Sequence, residues 1–301
     1  MASINKRVII FFGAMATTLA IVLIIAGRPA GPIERETIAV TIFPLYDLVK
    51  NIAPEQVEVV LLLPPGASPH TFEPTPSTIK ALERAKVLFA VGHGLDDWAV
   101  TLAEATDTPV VDNYSGLQLR ESEEGAEAGE DGQGGVDPHY WLSVDNAIAM
   151  TATISVEITA QYPEYRDDIT TNHNSMLGRL RDADYRIRKQ LENVTNRKMV
   201  TMHDAWYYFT DAYGLEIAAA FEPAPGREPT PQYLTEVGDA AREAGVRTIY
   251  SEPQLGTTAL ESFARDNGLT IAVLDPIGGT EGRANYVEMM LYNARTISEN
   301  Q

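Results

Sequence analysis

Residues 164–194, EYRDDITTNHNSMLGRLRDADYRIRKQLENV, decide the fold of this chain. The stretch contains no proline, and Gly178 is its single glycine. Its apolar side chains recur at helical spacing and form one stripe, made of Ile169, Met176, Leu177, Leu180, Ile187, Leu191 and Val194. A straight helix of about thirty residues is roughly 45 Å long. We therefore predict one long rigid helix, within the limits 163–195, that joins the two halves of the protein.

Short apolar runs alternate with helical patterns on both sides of this helix. Before it, strands are predicted at 37–43, 57–63, 87–91 and 108–112, with helices at 46–53, 76–85 and 144–161. After it, strands are predicted at 198–202, 215–221, 246–251 and 269–274, with helices at 231–244, 257–267 and 284–299. Such alternation indicates parallel sheets. We predict an α/β protein with two lobes, 36–162 and 196–301, each a mostly parallel sheet with flanking helices.

The amino terminus carries a hydrophobic segment behind Lys6 and Arg7. Residues 8–26, VIIFFGAMATTLAIVLIIA, are long enough to cross a bilayer as a helix, and the basic pair should stay cytoplasmic. We predict that residues 1–27 are a membrane anchor or signal segment, and favour an uncleaved anchor because the apolar core exceeds that of most signal peptides. The remaining chain should then act outside the cytoplasm, in the periplasm or at the cell surface, either tethered to the cytoplasmic membrane or released after cleavage.

Composition excludes several kinds of site and partner. The chain has no cysteine, which removes disulfides, thiolate metal sites and a lipid-modified amino terminus. Its formal net charge of −19 argues against nucleic acid and anionic lipid as partners, and is compatible with a cationic ligand. Residues 121–136 hold six acids and five glycines, so we predict a flexible, solvated loop there.

Four residues that can bind a metal follow predicted strands or end the first lobe. Three come directly after strands: His70 in the proline-rich loop PPGASPHTFEPTPS (64–77), His203 after strand 198–202, and Asp275 after strand 269–274. The fourth is His139, in the sequence DPHYW. Ligands bind at the carboxyl ends of parallel strands. Three imidazoles and one carboxylate suit a tetrahedral Zn²⁺ site, and four protein ligands leave no open position for an activated water.

Each of these residues also has a structural interpretation. His70 could bond a backbone carbonyl, and His139 could pack on the neighbouring aromatic rings. His203 precedes the aromatic run DAWYYF, which is typical of a core, and Asp275 could cap a turn before Pro276. No compact metal motif is present to decide between the two interpretations.

Three further residues have side chains that could take part in a metal site. His93, in VGHGLDDW, also follows a strand and is the main competitor as a ligand. Glu252, in YSEP, ends a strand and could either orient a loop or support a ligating histidine. His173 lies on the apolar stripe of the long helix, so we interpret it as a packed residue.

These motifs resemble the zinc/manganese solute-binding proteins of ABC importers, the metal-binding lipoprotein adhesin family. The matching stretches are GASPHTFEPTPS, GHGLDDW, DPHYWLSVDNA, VTMHDAWYYFTDAYGL, SEPQ and LDPIGG, in order between about residues 37 and 300. The resemblance implies a metal buried between the lobes and places the family's ligands on His70, His139, His203 and Asp275. Manganese-preferring members usually have glutamate at the third position, so His203 points to Zn²⁺, with Mn²⁺ possible.

The function implied is that of an extracytoplasmic zinc-binding protein, without enzymatic activity, that delivers Zn²⁺ to an ABC permease. We expect it to act as a monomer that contacts the membrane through its amino-terminal helix. One alternative is a manganese-delivering member of the same family. Two others belong to different classes: a zinc-dependent hydrolase with Asp275 or Glu252 as its base, and a metal-stabilised adhesin.

Overall fold

The computed structural model describes residues 36–122, 135–224 and 227–301. The predicted anchor 1–27, and most of the predicted loop 121–136, lie outside the described residues. Among the described residues, no helix has both the length and the apolar character needed to cross a bilayer. The chain from Glu36 to Gln301 forms one compact unit.

The first sheet has four parallel strands in the order β2-β1-β3-β4. The strands are β1 Thr37–Val40, β2 Glu58–Leu61, β3 Ala85–Ala90 and β4 Val110–Asp112. The helices between them are α1 Phe43–Ile52, α2 Pro76–Glu83 and α3 Asp97–Ala105. Every residue of β1 is buried, as expected for an inner strand covered on both faces.

The second sheet repeats this arrangement, with parallel strands in the order β6-β5-β7-β8. Its strands are β5 Lys198–Thr201, β6 Glu216–Ala220, β7 Thr248–Ser251 and β8 Thr270–Val273. The helices that connect and follow them are α6 Tyr207–Tyr213, α7 Pro231–Glu243, α8 Thr258–Asn267 and α9 Tyr286–Asn300. In each sheet the strand that comes first in sequence, β1 or β5, is an inner strand. All strand pairs are parallel, so the sequence prediction of two parallel sheets is confirmed.

The helices between the sheets are α4 Val144–Gln161 and α5 Arg166–Leu191, separated by a 3₁₀ turn at Pro163–Tyr165. With 26 residues, α5 is about 39 Å long. It packs against α1 and α4 on the side of the first sheet and against α9 from the second. The predicted stripe faces inward, with Ile169, Met176, Leu180, Ala183, Ile187 and Leu191 buried. The joining helix is thus confirmed, whereas the residue limits of the lobes stay a prediction.

Some local predictions differ from the structure. Helix α1 begins at Phe43 rather than at residue 46, because Pro44 fits the first turn of a helix, where its missing N–H is not needed. Helices α3 and α6 were not predicted. Helix α6 is formed by the aromatic run after His203, which does serve as core, since Phe209 is fully buried.

Hydrogen bonds connect the part of the protein around the first sheet to the part around the second sheet. Trp141 Nε1 donates to the carbonyl of Pro276 at 2.8 Å, and Tyr286 Oη donates to the carbonyl of Trp141 at 2.7 Å. The backbone N–H of Tyr286, at the start of α9, donates to Asp47 Oδ2 of α1 at 3.0 Å. One continuous hydrophobic cluster surrounds these contacts, which fixes the loops that both sheets present to each other.

Candidate metal centre

Three histidines reach one point from three separate loops. His70 lies in a 3₁₀ turn, Pro69–Thr71, that follows β2. His139 immediately precedes the 3₁₀ turn Tyr140–Leu142, whose side chains are all buried. His203 comes two residues after the end of β5. His139 and His203 are each 3% exposed, whereas His70 is only partly buried.

The imidazole nitrogens converge closely. His139 Nε2 lies 3.4 Å from His70 Nε2 and 3.5 Å from His203 Nε2. The ring centroids are 5.2 to 5.7 Å apart. Zn–N bonds of about 2.0–2.1 Å in a tetrahedral sphere place neighbouring nitrogens about 3.3 Å apart. The spacing therefore fits three nitrogens that share one cation.

Buried carboxylates fix the opposite nitrogen of two of these rings. His139 Nδ1 lies 2.9 Å from Asp137 Oδ1, and His203 Nδ1 lies 2.8 Å from Glu252 Oε1. A proton on Nδ1 of His139 can be donated to Asp137, which leaves the Nε2 lone pair of this ring free to bind a metal. The Glu252 carboxylate lies against Nδ1 of His203 as an ion-pair contact. Glu252 also accepts from Trp206 Nε1 at 3.1 Å, so its own position is fixed. With its proton on Nδ1, His139 would present the lone pair of Nε2 toward Nε2 of His70 and of His203.

Burial sets the protonation of the centre. It lowers the pKa of His70 and of His139 well below the ordinary value of 6.5, and a charge on any neighbouring imidazole lowers both further. Burial also raises the pKa of Asp137 to about 7, against the opposing effect of its hydrogen bond from the backbone of His139. His70 and His139 are therefore neutral at neutral pH, which is the form that binds metals.

The structure does not group Asp275 with the three histidines, whose ligand atoms lie within 4.8 Å of one another. Asp275 is fully buried, and its Oδ1 accepts from Gln254 Nε2 at 2.9 Å and from two backbone N–H groups of the following turn. Its Oδ2 lies 3.1 Å from Arg283 Nε. The next two residues, Pro276 and Ile277, line the cavity beside the histidines, a space of about 10 Å³. The turn-capping interpretation of Asp275 is thus realised, and its role as a ligand stays a prediction.

The other candidates lie elsewhere or act indirectly. The ring of His93 packs on Tyr114, with centroids 4.3 Å apart, and is not part of the group of three. His173 Nε2 lies 3.2 Å from Thr151 Oγ1, as suits a packed residue between helices. Glu252 occupies the supporting position that the sequence left open, against His203.

Sequence reasoning missed Asp137 and Gln254. Asp137 stands two residues before His139, and its Oδ1 accepts the backbone N–H of His139 at 2.9 Å, a local bond that Asp in an Asp-Pro sequence commonly makes. That spacing was visible in DPH and could have identified it. Gln254 lies in the same loop as Glu252, but nothing in the sequence indicates that its amide reaches Asp275.

Comparison with known proteins agrees with this geometry. The family model described as "ZnuA: Zinc-uptake complex component A periplasmic" matches residues 38–300. The manganese-binding lipoprotein MntA of Halalkalibacterium halodurans is 29% identical over 262 residues, which cover 84% of each chain. The zinc-binding lipoprotein AdcA of Streptococcus pneumoniae is 24% identical over 95% of this chain, which spans 60% of that longer protein.

A solved structure has the same fold. The solute-binding protein FpvC of Pseudomonas aeruginosa, determined in complex with Mn²⁺, is 30% identical, with a TM-score of 0.78 over 88% of this chain and 98% of that one. These matches confirm the resemblance stated from the motifs and set aside the hydrolase alternative, because the relatives are solute-binding proteins and not enzymes. The chain belongs to the ZnuA family of metal-binding solute-binding proteins of ABC transporters.

Proposed function

We propose that this protein captures Zn²⁺ with His70, His139, His203 and Asp275 and delivers it to an ABC permease. The observation that carries the proposal is the convergence of three Nε2 atoms, with separations of 3.4 and 3.5 Å along two of the edges. Two of the three rings are oriented by buried carboxylates, which is the arrangement that supports metal-bound imidazoles.

The ligand set favours zinc over manganese. Imidazole is a good ligand for Zn²⁺, whereas Mn²⁺ prefers oxygen ligands. The relatives include both kinds of protein, since one is named for zinc and another for manganese. A histidine at position 203, together with the two other imidazoles, gives three nitrogens and one carboxylate, which is the set that suits a tetrahedral zinc site.

We further propose that the protein works as a monomer outside the cytoplasm, tethered through residues 1–27 or released from them. Two of the relatives are named lipoproteins. The sequence of this chain contains no cysteine that could carry a lipid, so the hydrophobic segment 8–26 is the candidate tether.

Metal content tests the proposal directly. Residues 30–301 would be purified without affinity tags that bind metals, and the metal that co-purifies would be measured by elemental analysis. We expect one zinc per chain and none in a triple variant with alanine at 70, 139 and 203. Loss of zinc uptake in cells that lack the protein, restored by the wild type but not by the triple variant, would test delivery.

Two outcomes would contradict the proposal. One is a chain that binds no divalent metal at equimolar concentration. The other is stoichiometric zinc that remains bound in the triple variant, because the metal would then occupy a different site.

A further inference from the structure

The carboxylate of Asp275 has hydrogen-bond donors on one oxygen and a cation beside the other. Oδ1 accepts from Gln254 Nε2 and from the backbone N–H groups of Ile277 and Gly278, at 2.9, 3.1 and 2.9 Å. Oδ2 lies 3.1 Å from Arg283 Nε as an ion pair, but the N–H of this nitrogen donates to Thr280 Oγ1, and Oδ2 accepts no hydrogen bond among the described residues. Asp275 is 0% exposed and the Arg283 side chain 16%, so water screens this pair little.

Because Oδ2 accepts no hydrogen bond within the part of the chain that the structure describes, a cation that binds this carboxylate would do so at Oδ2 and would there meet the charge of Arg283. The donors to Oδ1 are uncharged, and two of them belong to the turn that Asp275 itself caps. The Arg283 guanidinium is a permanent positive charge, which a divalent cation repels. Of the groups around this carboxylate, Arg283 is therefore the one whose contact a bound metal would weaken.

Arg283 has other contacts that can hold it when the ion pair is weakened. Its Nε lies 3.1 Å from Thr280 Oγ1, and its guanidinium lies over the ring of Tyr292 at 4.8 Å. The Asp275 backbone is held separately, because its N–H donates to Asn293 Oδ1 and its carbonyl accepts from Asn293 Nδ2, both at 2.8 Å. The exchange of partners thus involves the side chains and leaves the loop anchored.

We propose that Arg283 sets the metal affinity of this centre by competing with the bound cation for the carboxylate of Asp275. The inference rests on the proposed function, in which Asp275 is the fourth ligand. The Arg283 guanidinium neutralises the carboxylate when no metal is bound. Its charge also lowers the affinity for a metal that the protein must later release to the permease. Arg283 is thus a positioning residue that favours release.

Replacement of Arg283 tests this inference. Arg283→Gln should bind Zn²⁺ on the order of tenfold more tightly than the wild type, because the metal then neutralises a buried carboxylate that lacks its former partner. Arg283→Lys keeps the charge and should remain near the wild type. Arg295→Gln is the matched control: Arg295 is exposed, also lies near the Tyr292 ring, at 5.8 Å, and has no ion pair among the described residues. It should leave affinity unchanged.

Two further measurements test the inference: the melting temperature of the variants, and the zinc affinity of the double variant at positions 275 and 283. Without added metal, Arg283→Gln should melt at a lower temperature than the wild type, and saturating Zn²⁺ should reduce that difference. In an Asp275→Asn background, which should itself bind Zn²⁺ more weakly, Arg283→Gln should add no affinity. Affinities would be measured by competition against a chromophoric chelator at pH 8.

Three results would overturn the inference: unchanged or weaker binding by folded Arg283→Gln, a gain that persists with Asn at position 275, or a gain that Arg295→Gln reproduces. Zinc binding by Asp275→Asn as tight as that of the wild type would also overturn the inference, because Asp275 would then not be a ligand. The proposed function would survive that last result as long as the triple histidine variant loses the metal.

Discussion

At the scale of one residue, we expect His203 to set the metal preference of the centre. His203→Glu replaces a nitrogen ligand by oxygen and places a carboxylate beside Glu252, whose oxygen now lies 2.8 Å from His203 Nδ1. We expect both metals to bind more weakly, because the two carboxylates repel each other, and zinc to lose more than manganese. The ratio of zinc to manganese affinity should fall by about tenfold or more in competition titrations.

His173→Glu serves as the control, since His173 contacts Thr151 and stands apart from the centre. An unchanged ratio in His203→Glu would show that the third histidine does not determine metal preference. An equal change in His173→Glu would mean that net charge, and not the ligand atom, is responsible.

Protonation predicts how the centre responds to pH. The ordinary histidine pKa would place the loss of zinc affinity near pH 6–7, but burial and mutual repulsion lower the pKa of His70 and His139 well below 6.5. Protons therefore compete with zinc at these two rings only at more acidic pH. Asp137 has a pKa raised to about 7 by burial, and a bound cation nearby should lower it, so metal binding expels a proton from Asp137 near neutrality.

We expect zinc affinity to fall gently as the pH drops through about 7 and steeply only well below 6.5. In Asp137→Asn the gentle step should vanish while the steep one remains. Titrations between pH 8 and pH 5 would measure both steps. A steep loss centred at 6.5 would mean that the imidazoles titrate as exposed ones do.

In the metal-free fold, His70 and His139 should also make stability sensitive to acid. Because the unfolded chain takes up protons on these histidines near pH 6.5 and the folded chain does so only at lower pH, their contribution to the free energy of unfolding falls as the pH drops below 6.5. Asp137, with a pKa raised to about 7, contributes in the opposite direction.

The sequence could predict the three imidazoles because each stands at a recognisable place, after a strand or in the DPH motif, and the family motifs mark the same positions. The DPH spacing could also have identified Asp137 as the support of His139, but nothing in the sequence indicates that Gln254 and Arg283 contact Asp275. Those contacts depend on the orientation of the ring nitrogens and carboxylate oxygens. Packing between loops that are distant in the chain fixes these orientations.

At the scale of elements, α5 offers a test of local helix energetics. Gly178 lies exposed in the middle of this helix, and a Cβ added there would have no atom within 4 Å. Gly178→Ala should therefore raise the free energy of unfolding by about 0.5–1 kcal/mol, because alanine loses less backbone entropy in a helix. The melting temperature should rise by about 1–4 °C with zinc affinity unchanged.

Gly238 of α7 provides the contrast. A Cβ added there would lie 2.7 Å from Asn267 Oδ1, so the side chain of Asn267 must move. Gly238→Ala should gain less stability than Gly178→Ala, or lose some. Equal gains at both positions would show that local propensity outweighs packing in this protein.

The helices that could be predicted from the sequence are those in which apolar residues recur at a clear helical spacing. The stripe of α5 and the bounds of α4 follow directly from spacing, since α4 was predicted at 144–161 and is observed there. Helices α3 and α6 are short, at nine and seven residues, and too few of their positions repeat to reveal a period. Their burial against the sheets, which no local pattern records, accounts for their formation.

At the scale of the whole molecule, the metal centre draws on loops of both sheets, so relative motion of the lobes would open or close it. The contacts across the molecule oppose a large opening. The backbone of Arg120 donates to Tyr208 Oη at 2.8 Å, and its guanidinium bonds Asp211 at 2.9 Å, both on α6. Tyr208 Oη in turn donates to the carbonyl of Asp137, which connects this contact to the support of His139.

We therefore expect zinc binding to move loops and leave the lobes nearly fixed. Because the chain has no cysteine, two engineered cysteines are enough for site-specific spin labels. Glu104 in α3 and Glu243 in α7 are exposed and belong to helices of different sheets. Their distance distribution, measured by pulsed electron resonance, should keep its mean within about 2 Å when zinc is added.

A second pair of labels makes the result informative. Exposed Glu281 belongs to the loop that carries Arg283, so a label there paired with one at position 104 should report loop movement on zinc binding while the pair 104–243 does not. A shift of the whole 104–243 distribution would mean that the lobes rotate and that α5 acts as a hinge. In that case the contacts of Arg120, Trp141 and Tyr286 must break on closure, and substitutions there would change zinc affinity as well as stability.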